Sequence, residues 1–472
     1  MDPPKDYKLP LLYSIAFTSS LGSMAWGYNI SIFNALRVYL QTTVFPDASS
    51  SSISLLASSL TVGAAVGSFQ AGKLVNTYGR LNTLIWSDIL GIIGCLFSMV
   101  QYLPFVMIGR FIGGILIGLN GVVISLYNVE MVPVHLKGIM SSISMTLQAV
   151  GILLSLAAGF LVPENGVSSG LWRILLGLPL VFHGVRAVVF RYILNFETPL
   201  FLVMQDREQE AKEVLEQIYT DNIEKHYQKV VKDKNAVAAH GNPTMMDMLS
   251  PKYRKAFLVV IFVMSGIQFC GFSPIFMFFN VFIAESADYD AGTISVFATM
   301  MGVISLIASI LANVFVERFG RRPLLTYGMG LMCISQGLYA FIGYIGGSGN
   351  PLLKYIITIW PLFYRVSVGT LAFIYAAEVI PSVGVSMIVC ANWIFAFSTV
   401  QTFLPLVDMI GVDGVMLTYA IFGGISVKLY DMYLIESKGR TKAEMLKLYN
   451  EEELRSSMND SYVEMQRVFI CK

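Results

Sequence analysis

Tyr127-Asn-Val-Glu130-Met-Val-Pro133 returns later in the chain as Tyr375-Ala-Ala-Glu378-Val-Ile-Pro381. From Glu130 to Glu378 the shift is 248 residues, about half of the 472-residue chain. Each copy ends a long apolar run with one carboxylate, followed three residues later by proline. Two more phrases recur in the same order. Tyr78-Gly79-Arg80 matches Phe319-Gly320-Arg321-Arg322, and Phe196-Glu197-Thr198 matches Ile435-Glu436-Ser437, at shifts of 241 and 239. A chain that repeats itself in order at half its length, within apolar sequence, is most economically a parallel duplication of a six-helix membrane unit.

Composition supports this reading. Apolar residues make up 55% of the chain and charged residues 13%, with a mean hydropathy of +0.65. An ordinary soluble enzyme is about a quarter charged. Lys and Arg number 32 against 31 Asp and Glu, which gives no net pull toward nucleic acid. Uncharged stretches run from Leu9 to Leu36, Ala48 to Gly72, Ile139 to Pro163, Ala256 to Ala284, Ala291 to Val316, Pro323 to Leu353 and Val379 to Val407. Each exceeds the roughly 20 residues that span a bilayer as a helix. Shorter runs near 82–102, 105–130, 171–194, 351–378 and 411–434 complete a count of twelve. The fold class is therefore all-α: a polytopic membrane protein of twelve transmembrane helices in two six-helix bundles. The expected division is an N-terminal bundle at 1–194, a connector at 195–253, a C-terminal bundle at 254–436 and a tail at 437–472.

Cys95, Cys270, Cys333, Cys390 and Cys471 are dispersed and read as small core residues; no metal site or cofactor is expected. The first apolar stretch is too long for a cleaved signal peptide and reads as helix one. Alternate loops carry acid (Asp47, Glu164, Glu285, Asp288, Asp290, Asp408, Asp413) or base (Lys73, Arg80, Lys137, Arg318, Arg321, Arg322, Lys438, Arg440). By the positive-inside rule both termini face the cytoplasm. In the connector, Ala211, Val214, Leu215 and Ile218 fall at helical spacing and predict a short surface helix over 206–219, with a looser linker after it.

Gly27-Tyr28-Asn29, Gly109-Arg110-Phe111, Trp172-Arg173, Glu317-Arg318-Phe319-Gly320-Arg321-Arg322, Asn392-Trp393 and Glu436-Ser437-Lys438-Gly439-Arg440 together resemble the signatures of the sugar porter family of the major facilitator superfamily. The likeness runs from helix one to Arg440. It implies a carrier of a small neutral sugar, with no enzymatic step and no evident obligate protein partner, in the plasma membrane.

Glu130, Lys137, Arg80 and Glu197 in the first half, with Glu317, Arg321, Arg322, Glu378, Glu436 and Arg440 in the second, fall at helix ends on the inner side. Opposite charges there are expected to latch the two bundles in one state and release them in the other; the alternative is charge that merely anchors topology. The chain departs from the family pattern at Asn76, Thr77 and Leu81, and in having Arg365 where an acid is usual. Glycines at 109, 113, 114 and 118 set small-residue spacing for close helix approach.

Polar side chains within spans are candidates for a substrate path. The resemblance places Gln268, Ser273, Ser305, Phe373, Asn392 and Met145 at sugar-contacting positions. Gln148, three residues past Met145, is positioned to supply an amide where Met145 lacks one. The alternative is that Gln148 and Gln268 bond across helices. Asn29, with Arg110 its expected neighbour, stands where proton-coupled members carry aspartate. An amide does not cycle a proton, which points to facilitated diffusion. Asp88 and Asp431 are expected at the membrane interfaces. Competing readings are a proton-coupled sugar or polyol symporter and a non-transporting sugar receptor.

Overall fold

The computed structural model describes residues 7–133, 136–163, 167, 169–239, 243–284, 290–347, 349–440, 442 and 444–450. Six apolar helices come first: α1 (Leu9–Tyr39), α2 (Ser50–Tyr78), α3 (Arg80–Ser98), α4 (Leu103–Met131), α5 (Lys137–Ala157) and α6 (Leu171–Tyr192). The connector holds α7 (Pro199–Met204), α8 (Glu208–Ile218) and α9 (Ile223–Ala239). The second set is α10 (Pro251–Ile283), α11 (Ala291–Phe319), α12 (Arg321–Gly346) and α13 (Leu352–Val379), then α14 (382–410) and α15 (412–433). Those last two are parted at Gly411, whose φ of 70° turns the chain. Helix α9 corrects the looser linker expected after residue 219. Val230 and Val231 on it pack against the first bundle's apolar core, and that burial stabilises the helix.

The duplication is visible atom by atom. Helices α2 and α11 are both 29 residues long, and each begins after a side-chain cap. Ser49 accepts from the Ser52 N–H at 3.2 Å, and Asp290 accepts from the Thr293 N–H at 3.1 Å. Both helices end at a glycine in the positive-φ region, Gly79 at 89° and Gly320 at 88°. That conformation costs a side-chain-bearing residue strain, so glycine recurs where each chain turns sharply into the next helix.

Within the first bundle α2 and α4 are nearly in backbone contact. A Cβ placed on Gly114 would stand 2.0 Å from the Leu60 carbonyl oxygen, and one on Gly118 would stand 2.2 Å from that of Ala64. Helices in lipid gain little from hydrophobic transfer, so this close van der Waals approach is what holds them. The outward surface is apolar, with Trp86, Tyr192, Tyr327, Phe341 and Tyr344 exposed. A soluble protein would bury such residues; here they mark the lipid-facing belt.

Candidate substrate site

Helices α1, α5, α10, α13 and α14 converge between the bundles. Met145, Gln148, Gln268, Phe373 and Asn392 line one void there, together with Trp26, Ile267, Phe272, Tyr364, Gly369 and Trp393. Five of the seven expected substrate residues thus meet around a common space. Ser273 joins them from behind: its hydroxyl donates to Gln268 Oε1 at 2.7 Å, while Gln268 Nε2 donates to Asn392 Oδ1 at 3.1 Å. Gln268 and Asn392 therefore bond across helices and also face the void, so the two readings offered by the sequence coexist. Ser305 stands apart and accepts from Arg365 Nε at 3.1 Å. Trp26 was missed from sequence. Its ring lies edge-on to Trp393 at 5.9 Å, and its buried indole N–H has no partner among the described residues.

This void is about 10 Å³, and an adjoining one lined by Ser23, Asn120, Gly121, Ser125 and Gln148 is about 60 Å³. A ligand pocket usually offers roughly 300 Å³ or more, so the side chains must draw apart for a solute to enter. Gly121 and Ser125 are exposed, which places the opening on the side where α4 runs toward the connector. The opposite side is closed between the bundles. Asn34 Nδ2 donates to Asn280 Oδ1 at 2.9 Å, the Asn280 N–H donates to Asn34 Oδ1 at 2.8 Å, and Asn280 Nδ2 donates to the Asn34 carbonyl at 3.1 Å. Phe33 meets Phe278 edge-on beside them.

Charged groups at the connector face form two matching clasps. In the first half Arg80 Nη2 pairs with Glu130 at 2.9 Å, and the Thr198 hydroxyl donates to the same carboxylate at 2.6 Å. Glu197 accepts from the backbone N–H groups of Arg80, Leu81 and Thr198. In the second half Arg321 grips Glu378 through Nε at 3.2 Å and Nη2 at 2.8 Å, with Ser437 donating to Glu378 at 2.7 Å. Glu436 accepts from the N–H groups of Arg321, Arg322 and Lys438. Glu197 and Glu436 each cap a helix N-terminus, where free N–H groups and the helix dipole favour a carboxylate. Burial lifts Glu197 above the ordinary carboxylate range despite those bonds. For Glu436 burial acts in the same direction, but its backbone bonds outweigh it and hold the group low.

Several expectations are corrected. Every one of these contacts closes within one bundle, so the clasps brace each half and do not join the halves. The reason is geometric: a helix end, the next helix start and the chain leaving the sixth helix belong to one bundle. Arg322 reaches only Asp431, an exposed partner at 3.6 Å. Arg440 is exposed and Lys137 half-buried, and neither makes an ion pair among the described residues. The Glu317 side chain lies outside the described residues. Arg110 donates to the Leu56 carbonyl at 2.9 Å and lies over the Phe33 ring; no hydrogen bond among the described residues links it to Asn29. Asp88 is not interfacial but fully buried. It is held by Arg186 at 2.7 Å and His183 at 2.8 Å, while Arg186 also reaches Ser19, Ser87 and Asn120. Arg365, noted only as standing where an acid is usual, lies buried between the bundles, bonded to Ser305 and Gln148.

A match to the family described as "Sugar (and other) transporter" covers residues 15–449. The chain belongs to that family. This transporter is 25% identical to the glucose transport protein of Synechocystis sp., over 91% of this chain and 96% of that protein. It is 24% identical to solute carrier family 2, facilitated glucose transporter member 3 of Ovis aries, over 93% and 92%. Among solved structures it resembles the proton:xylose symporter XylE bound to 6-bromo-6-deoxy-D-glucose, with a TM-score of 0.79 and 20% identity over 93% of this chain and 99% of that one. The transporter has the major facilitator fold and is a multi-pass membrane protein, not an enzyme. Its polar midline and self-braced bundles are what such a carrier requires.

Proposed function

We propose that this transporter carries a monosaccharide across the membrane by alternating access, with Gln268, Asn392, Gln148, Ser273, Trp26 and Phe373 forming the binding surface. The relatives named for glucose support the cargo class. The observation that carries the reading is the hydrogen-bonded chain Ser273–Gln268–Asn392 beside a free indole N–H, around a buried void whose neighbour is lined by the exposed Gly121 and Ser125. Amides donate and accept, as sugar hydroxyls require, and aromatic rings take the C–H face of the ring. Binding draws the void open, and the bundles 1–194 and 254–436 rock as braced bodies about it. Both termini and the clasps face the cytoplasm, in keeping with the lysine and arginine distribution, and the plasma membrane is the proposed site.

Facilitated diffusion fits Asn29, which offers no titrating carboxyl. Proton-coupled transport is the second reading, favoured by Asp88 and His183 in contact at bilayer depth. Counterflow of a panel of labelled neutral and acidic monosaccharides, with purified protein in liposomes, tests the main reading. Exchange of at least one is expected, reduced at least tenfold in Gln268→Ala and Asn392→Ala. No exchange of any sugar would overturn it. Uphill uptake driven by an imposed proton gradient would select the coupled cycle.

A further inference from the structure

The most consequential group in the interior is one that the sugar reading leaves idle. Arg365 on α13 is 1% exposed and lies where the two bundles meet. Its Nε donates to the Ser305 hydroxyl at 3.1 Å and its Nη1 to Gln148 Oε1 at 2.8 Å. Its Nη2 is buried and has no partner among the described residues. A guanidinium keeps its charge at any accessible pH, and both of its partners are neutral. Among the described residues no carboxylate pairs with it. The buried carboxylates are engaged elsewhere, Asp88 with Arg186 and Glu130 with Arg80. An uncompensated cation at this depth is strongly unfavourable unless something negative visits it.

Arg110 is also buried without a carboxylate among the described residues and with its Nη2 unpartnered there, and like Arg365 it lies over an aromatic ring, but its hydrogen bond goes to the Leu56 carbonyl and not to a residue that lines either central void. Arg365 differs because its partner Gln148 is a wall of both central voids. We propose that the solute is a sugar bearing a carboxylate, a hexuronate-class anion, and that Arg365 is the group that receives it. The inference rests on the monosaccharide-transport reading and replaces the neutral cargo expected from sequence. An arginine fork takes a carboxylate through two parallel N–H bonds. Nη2 is already free, and Nη1 becomes free when the carboxylate displaces Gln148. The hydroxyls and ring face remain for Asn392, Gln268, Trp26 and Phe373.

The same exchange couples binding to motion. The Arg365–Gln148 bond ties α13 of the second bundle to α5 of the first, so a ligand that replaces it loosens that tie while filling the charge. The carrier then moves one negative charge per solute and responds to membrane potential.

The test is counterflow of labelled glucuronate and labelled glucose in liposomes holding the full chain, as wild type, Arg365→Gln and Arg365→Lys. Wild type is expected to exchange glucuronate saturably, and its net glucuronate uptake into liposomes without internal sugar should rise when a potassium diffusion potential makes the interior positive. Arg365→Gln should lose glucuronate exchange at least tenfold, and Arg365→Lys, which keeps charge without the fork, should fall between. Wild-type protein that exchanges glucose while glucuronate is neither exchanged nor competes would overturn the inference and leave sugar transport standing. Unchanged glucuronate exchange in a monodisperse Arg365→Gln protein would overturn it too. Exchange of neither sugar by wild type would instead sink the transport reading beneath it. The wild-type arm is decisive even if a variant fails to fold.

Discussion

Arg80 and Arg321 hold equivalent places in the two halves, yet their surroundings differ. The Glu130 side chain is 9% exposed and that of Glu378 is 26% exposed. Removing one partner of a buried pair strands the other charge at about 3–5 kcal/mol, whereas an exposed pair is worth only about 0–1 kcal/mol. Arg80→Ala should therefore lower the melting temperature in detergent distinctly more than Arg321→Ala; equal losses would mean that solvent reaches both carboxylates alike. The two capping glutamates diverge as well. Glu436 is held low, so it contributes stability above the ordinary carboxylate value near 4.5, and this is lost as pH falls through its depressed folded value. Glu197 is held high, so the folded state takes up its proton more readily and gains stability as pH falls through that raised value. In melting curves from pH 7 to pH 4, Glu436→Gln should show a deficit that narrows at the acid end. Glu197→Gln should show a smaller deficit at pH 7, because it removes the burial cost of the charge.

Among the elements, α2 and α4 leave the least room. A side chain at position 118 would collide with the Ala64 carbonyl, and backbone cannot step aside as a flexible side chain does. Gly118→Val should abolish monodisperse expression, while Gly121→Ala, where a Cβ meets nothing within 4 Å, should be tolerated. This packing was legible from the glycine spacing alone, and Gly79 and Gly320 stand in the repeated phrases, whereas the Ser49 and Asp290 caps were not read from sequence. Partner choice was not legible. The sequence places Arg80, Glu130 and Glu197 at helix ends, but whether they brace a bundle or bridge two depends on helix order in space, which periodicity does not encode. Arg365 shows the same limit: a motif-by-motif comparison marks it as a departure, and only the neighbouring Gln148 and Ser305 give it a place. Trp26 carried no signal beyond an aromatic residue on an apolar helix.

At the scale of the molecule, apolar packing joins the halves, as in Phe33 against Phe278 and Trp26 against Trp393, and polar pairs bridge them as well: Asn34 with Asn280, Gln148 with Arg365, and Ser58 with Gln401 at 2.7 Å. Each is a bond that thermal motion breaks and remakes, as an alternating carrier needs, whereas the clasps inside each half are ionic and partly buried. Cysteines placed at both Asn34 and Asn280 should crosslink on oxidation and stop exchange, with reduction restoring it; unimpaired exchange by the crosslinked protein would show that this side need not part. The clasps carry one more implication. Because Glu197 and Glu436 knot the trailing end of each sixth helix back onto its own third helix, neither half borrows a charge from the other to stay shut. Each is a braced piece, and the connector does two jobs: it lends Glu197, Thr198 and its packed helices to the first half, and it ties that half to the second.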